Sequence, residues 1–144
     1  MIKISKSPTD TQKLASQLAK KLKLRKQAIV IALEGELGAG KTVFTKGFAK
    51  ALGVKQKVTS PTFLLLKTYP IKTGLLCHID AYRLRDHRDA KALGLKELLA
   101  QIGNIILIEW SDRLKQSLPA KHIRIHIDHI SLKERKISIS NFKF

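Results

Sequence analysis

The residues with the clearest chemical meaning are Gly35-Glu36-Leu37-Gly38-Ala39-Gly40-Lys41-Thr42. They match G-x-x-x-x-G-K-[ST] at every fixed position. Glycines allow turn conformations that bring backbone N–H groups against phosphate oxygens, at a helix N-terminus whose dipole already favours an anion. Lys41 then reaches the β- and γ-phosphates, and the Thr42 hydroxyl serves a magnesium ion bridging them. Gly35, Gly38, Ala39, Gly40, Lys41, Thr42 and Val43 are thus the candidate contacts to a nucleoside di- or triphosphate. Average residue frequencies put a chance match on the order of once in a few hundred chains. A merely glycine-rich turn is therefore a poor explanation.

Such a loop needs a buried strand before it, a helix after it, and an acid facing it. Ala28 to Leu33 is a continuous apolar run, as in a parallel strand covered on both faces. Val43, Phe44, Phe48, Ala51 and Leu52 recur at helical spacing until Gly53, a helix stop. Two later strands end in a carboxylate: Ile105-Ile106-Leu107-Ile108-Glu109 and Leu75-Leu76-Cys77-His78-Ile79-Asp80. One acid can hold the cation while the other orients or activates the attacking water, and spacing leaves both assignments open. Thr59-Ser60-Pro61-Thr62-Phe63 sits where nucleotide-sensing loops occur, or is a polar turn fixed by Pro61.

The remaining chain predicts more elements around this centre. Ser7-Pro8-Thr9-Asp10 reads as a helix start, followed by an apolar stripe of Leu14, Leu18 and Leu22. Phe63 to Tyr69 and Leu75 to Asp80 predict an antiparallel hairpin about Pro70 to Gly74. Ala90 to Gln101 predicts one helix despite Gly94. Alternation at Ile123, Ile125 and Ile127, then at Ile137 and Ile139, predicts a final hairpin. The fold expected is a single α/β domain over residues 1–144, a three-layer P-loop NTPase-like architecture with an extra N-terminal helix. Its mixed sheet has a parallel core extended by antiparallel hairpin strands.

At 144 residues and 44% apolar content the chain can bury one core. It has no run of about eighteen apolar residues, so no membrane span is expected, and a cytoplasmic protein is. Cys77 is the only cysteine, expected as a small core hydrophobe. The formal charge of +17 divides into 13 basic against 3 acidic residues over 1–60, and 15 against 8 over the rest. Lys20, Lys21, Lys23, Arg25 and Lys26 form the densest cluster, a solvated helix end or a face for RNA or an acidic protein. His122 and His126 lack a third ligand, so no zinc is assigned.

Four segments in order carry a family likeness: Gly-Glu-Leu-Gly-Ala-Gly-Lys-Thr (35–42), Ser-Pro-Thr-Phe (60–63), His-Ile-Asp-Ala-Tyr-Arg-Leu (78–84) and Ile-Glu-Trp (108–110). Together they resemble the bacterial TsaE family, the small ATPase of tRNA threonylcarbamoyladenosine biosynthesis. The resemblance implies that Lys41 and the loop amides bind the phosphates of ATP or ADP, that Thr42 and Glu109 serve magnesium, and that Asp80 is an acid needed for hydrolysis. It implies that Thr62 responds to nucleotide state and that Trp110 lies near the site. Thr9 or Thr11, with Arg135, would flank the base. It further implies a TsaD-like transferase subunit and a TsaB-like subunit as partners, ATP hydrolysis in support of their turnover, and tRNA reached through that complex.

Water attacking the γ-phosphate in line, with Lys41 and magnesium offsetting the developing charge, is the mechanism expected. Arg83 and Arg85 are placed as possible arginine fingers, with surface ion pairs the favoured reading, so hydrolysis without partners is expected to be slow. Two rivals share features of the chain. A small nucleotide or nucleoside kinase would need an arginine-rich lid that no insertion supplies. A basic RNA-binding module with a vestigial loop would account for the charge alone. A GTPase is disfavoured because no Asn-Lys-x-Asp stretch occurs.

Overall fold

The structure, a computed structural model, describes residues 1–22, 27–61 and 63–144. Among the described residues seven strands form one mixed sheet in the order β1-β7-β6-β2-β5-β4-β3. In chain order the elements are β1 (Ile2–Ser5), α1 (Pro8–Lys21), β2 (Ile29–Glu34), α2 (Lys41–Ala51), β3 (Leu66–Ile71), β4 (Gly74–Asp80), α3 (His87–Ala92), α4 (Leu95–Ala100), β5 (Ile105–Glu109), β6 (Ile123–His129) and β7 (Arg135–Ser140). A 3₁₀ segment, Ser111–Ser117, follows β5. β2 runs parallel to β5 and β6, and β4 runs parallel to β5, while β1, β3 and β7 pair antiparallel.

Sequence explains most of these elements directly. Every residue of β2 and of β5 is buried, as their unbroken apolar runs require in a sheet covered on both faces. Ser7 caps α1 by accepting from Asp10 N at 3.1 Å, and Pro8 occupies the first turn, where no N–H is needed. α1 packs on α2 rather than standing apart: a Cβ at Gly47 would lie 2.6 Å from Gln12 Cα, so the helices touch through backbone there. These two helices and the inner side of the sheet enclose one core, with Leu18, Phe44, Phe48, Leu107 and Ile125 fully buried. The opposite face of β2, β5 and β4 packs a second core under α3, α4 and the 3₁₀ segment, including Ile79, Ile106, Ile108 and Leu114.

Four local expectations need correction. Residues 2–5 form a strand that the sequence reading did not foresee, pairing with β7 in the register Ile2↔Ser138. The predicted helix over 90–101 is two short helices, because Gly94 takes a left-handed φ of 73° and caps the second. β3 begins at Leu66 and not at Phe63, since the Leu65 N–H closes a turn onto Pro61 O at 2.7 Å and Leu65 itself has a φ of 61°. Pro70 and Ile71 belong to β3 and not to the turn. A proline is tolerated there because β3 is the outermost strand, where a ladder donor can be dispensed with. The described residues contain no helix long and apolar enough to cross a membrane. Lys23, Arg25 and Lys26 of the basic cluster, and Thr62, lie outside the described residues.

Candidate functional site

The parallel strands β2, β5 and β4 end side by side, and the loop 35–40 leaves the end of β2 over them. Ligand crevices in open α/β sheets form at such carboxyl ends. Register pairs Leu33 with Glu109 and Glu109 with Asp80, so both carboxylates stand on neighbouring strands at one level and on the face covered by α2. A cleft of about 400 Å³ opens there, lined by Gly38, Gly40, Lys41, Thr42, Asp80 and Glu109, with Val43, Ser60, Tyr82 and Trp110 completing its wall. A larger hollow of about 550 Å³ between α3, α4 and the 3₁₀ segment has no carboxylate and no loop amides in its lining. Its chemistry gives no reason to place a nucleotide there.

The loop owes its shape to Gly35 above all. Its φ is 143°, and a Cβ there would meet Ile127 O at 2.5 Å, so only glycine lets the loop lie against β6. Gly40 follows with a φ of 106° and caps α2, whose first amides face the loop. Arg135 braces the outside: its Nε donates to Ala39 O at 3.1 Å, while Nη1 donates to Ser131 O at 2.9 Å.

Lys41 is only 6% exposed. Its ammonium donates to Gly35 O at 2.7 Å and Glu36 O at 2.8 Å, and lies 4.1 Å from the centre of the Trp110 ring. Burial lowers its pKa, against the opposing pull of Glu109, Asp80 and Asp112. Trp110 reaches that position because its backbone adopts a φ of 57°, unusual for a bulky residue. Its N–H donates to Leu33 O at 3.0 Å, which ties the turn after β5 to β2. Tyr82 packs on the indole with ring centres 4.9 Å apart.

Glu109 is 3% exposed and held from two sides, by Thr45 Oγ1 at 3.2 Å and by His78 Nε2 at 2.9 Å. Both contacts fall on Oε1, which leaves Oε2 for the cleft. His78 is fully buried and its Nδ1 has no partner, so the proton belongs on Nε2, donated to the carboxylate. Asp80 accepts from Tyr82 N at 2.9 Å through Oδ1 and from Ser60 Oγ at 3.4 Å through Oδ2. Hard oxygen donors of this kind suit magnesium. Among the described residues no group of three or more His, Cys, Asp or Glu could hold a metal by itself. Magnesium commonly takes one or two protein oxygens and completes its shell from phosphates and water.

The structure therefore gathers Gly38, Gly40, Lys41, Thr42, Val43, Asp80, Glu109 and Trp110 around one cleft. Gly35, Ala39 and Arg135 shape the loop from behind. Thr9 is exposed on α1, and Thr11 is buried with its hydroxyl 2.7 Å from Ser5 Oγ; neither lines the cleft. Arg85 pairs with Asp89 at 3.3 Å, and Arg83 lies over the Phe63 ring at 5.2 Å, so neither enters it. Thr45 and Tyr82 were missed by sequence reasoning. Thr45 lies one helical turn beyond Lys41 and so shares its face, a signal that was available. Behind β2, Glu34 accepts from Arg124 at 2.7 Å and lies 3.4 Å from His126 Nδ1. Burial raises its pKa, but the bonds from Arg124 and His126 together outweigh this and lower it.

A mixed sheet flanked by helices, with a glycine loop closing on a lysine at the carboxyl end of its central strand, defines a P-loop NTPase-like fold. The crystal structure of YdiB from Bacillus subtilis superposes with a TM-score of 0.79 at 34% identity, covering 96% of this chain and 83% of that one. The model of the family TsaE, "Threonylcarbamoyl adenosine biosynthesis protein TsaE", matches residues 5–137. The tRNA threonylcarbamoyladenosine biosynthesis protein TsaE of Bacillus subtilis (strain 168) is 38% identical over 134 residues, 93% of this chain and 81% of its own. That of Treponema pallidum (strain Nichols) is 34% identical over 137 residues, 95% and 98% of the two chains. The chain belongs to the TsaE family of tRNA threonylcarbamoyladenosine biosynthesis proteins.

Proposed function

We propose that this protein binds and hydrolyses ATP in the cytoplasm, in support of threonylcarbamoyladenosine formation at adenosine 37 of tRNA. It acts beside a TsaD-like transferase subunit and a TsaB-like subunit, and does not itself make the modified base. The observation that carries the reading is the convergence of Lys41, Thr42, Asp80 and Glu109 on one cleft below a glycine loop.

In this reading the loop amides and the Lys41 ammonium bind the phosphates, the lysine exchanging its two carbonyl partners for phosphate oxygens. Thr42 and Glu109 would hold magnesium, which when bound offsets charge on the β- and γ-phosphates. Asp80 orients the attacking water and accepts its proton, and Trp110 with Tyr82 keeps the lysine side of the cleft dry. Neither Arg83 nor Arg85 reaches the cleft, so the missing positive charge is expected from a partner. Steady-state phosphate release with and without the TsaD-like and TsaB-like pair tests this. Acceleration by the pair, abolished in Lys41→Ala, is expected; equal turnover with and without it contradicts the partner dependence.

A further inference from the structure

Charge on this molecule is segregated. From Thr11 to Leu33, and again from Leu37 to Ile79, the sequence contains no Asp or Glu. Those stretches contain α1 beyond its first turn and all of α2, besides strands β2 to β4 short of the acids that end β2 and β4, and the one acid of the two helices is Asp10 in the first turn of α1. Lys13 and Lys20 stand two turns apart on the outer side of α1, and Lys46 and Lys50 one turn apart on the outer side of α2, all exposed. Leu22 and Leu52 share one small recess with Ala19, so the two helices end together, and Lys55 and Lys57 carry the positive charge past that end. Among the described residues none of these lysines pairs with a carboxylate. The opposite face is built differently: Arg85 pairs with Asp89 and Arg88 with Asp86. A solvated face normally mixes signs in that way, because like charges within a Debye length of about 10 Å repel.

We infer that the outer α1–α2 face is a docking surface for the phosphate backbone of RNA. Three features favour RNA over other polyanionic partners. Among the described residues none of the large exposed apolar side chains, such as Ile4, Leu37, Phe63 and Leu132, belongs to α1 or α2, so neither helix offers an anchor to a lipid layer. Among its described residues it has no aromatic or arginine anchor of the kind that carries a protein interface. Lysine ammoniums on flexible stems are sufficient for phosphates, which position a nucleic acid without reading its bases. The choice of tRNA as the RNA rests on the tRNA-modification reading; the electrostatics of the face does not.

The test is fluorescence anisotropy of a labelled tRNA transcript with the full chain at several salt concentrations. Two variants of equal charge are compared, Lys13→Gln/Lys20→Gln/Lys46→Gln/Lys50→Gln and Lys91→Gln/Lys96→Gln/Lys115→Gln/Lys121→Gln, the latter on α3, α4 and the segment between β5 and β6. Four phosphate contacts weaken binding by roughly 100-fold between 50 and 200 mM salt, with a log–log slope of about −3. The first variant should lose that slope and the second keep it. Equal loss in both would show a net-charge effect and overturn the assignment. So would undetectable binding of the native chain at 50 mM salt, or tighter binding to polyglutamate or to vesicles of anionic lipid than to tRNA. Nucleotide affinity, measured on the same variants, should not change, so failure here is distinguishable from failure of the ATPase reading.

Discussion

His78 should tune the cation requirement without holding the fold together. In His78→Leu the Nε2–H bond to Glu109 Oε1, 2.9 Å long and buried, is lost, at a cost of about 1.5–3 kcal/mol for a bond to a carboxylate. The same change removes Nδ1, a buried nitrogen with no partner, whose desolvation costs the native state about 1–3 kcal/mol. The two contributions oppose each other, so net stability should shift by no more than about 2 kcal/mol, or roughly 4–8 °C in Tm. Glu109, however, would keep only Thr45 to orient it. Loss of a group that orients a metal-binding side chain typically lowers metal affinity or activity by about 10- to 100-fold. The assay is phosphate release against magnesium concentration with the partner pair present, alongside ATP binding measured without magnesium. Half-saturating magnesium should rise by about that factor while metal-free ATP binding is unchanged. His78→Gln, whose amide can donate to Oε1, should recover part of the loss. A folded His78→Leu protein with an unaltered magnesium midpoint and rate would refute the positioning role.

Two more substitutions separate shape from charge. Gly35→Ala forces a Cβ to within 2.5 Å of Ile127 O, and should cost about 2–4 kcal/mol in chemical denaturation and lower nucleotide affinity; Gly40→Ala, with nothing within 4 Å, should cost only the conformational strain, about 1–2 kcal/mol. Glu34, with its pKa held below 4.5 by Arg124 and His126, contributes stability that is present above that value and lost as pH falls through the lowered folded value. Urea midpoints of Glu34→Gln should therefore lie below the native protein's at pH 6, and the gap should close on acidification below about 4.5.

The glycine loop of the candidate cleft was legible because its residues are contiguous in sequence and constrained by chemistry. The loop has four fixed positions, and β2 and β5 are apolar from end to end because both their faces are covered. β1 escaped notice for the opposite reason: Ile2 and Ile4 alternate correctly, but they lie 62% and 50% exposed on a terminal edge strand, so burial does not shape the pattern. The break at Gly94 was hidden because apolar residues continue at helical spacing across it. The contacts that hold Glu109 could not be read from spacing alone. His78 and Thr45 lie 31 and 64 residues from it, and only the pairing of β4 with β5 and the packing of α2 over them bring the three together. Thr9 and Thr11 lie outside the cleft lining, one exposed and the other paired with Ser5, and a place for either beside the base rests on the resemblance alone.

The central claim is that the loop ending at Lys41 and Thr42 takes up ATP with magnesium against Glu109. Calorimetric titration of magnesium ATP into the native chain, Lys41→Ala and Glu109→Gln tests it most directly. Saturable one-to-one binding is predicted for the native chain, lost in Lys41→Ala, with magnesium no longer strengthening it in Glu109→Gln. The same heat from all three proteins, or none from the native chain, would contradict it.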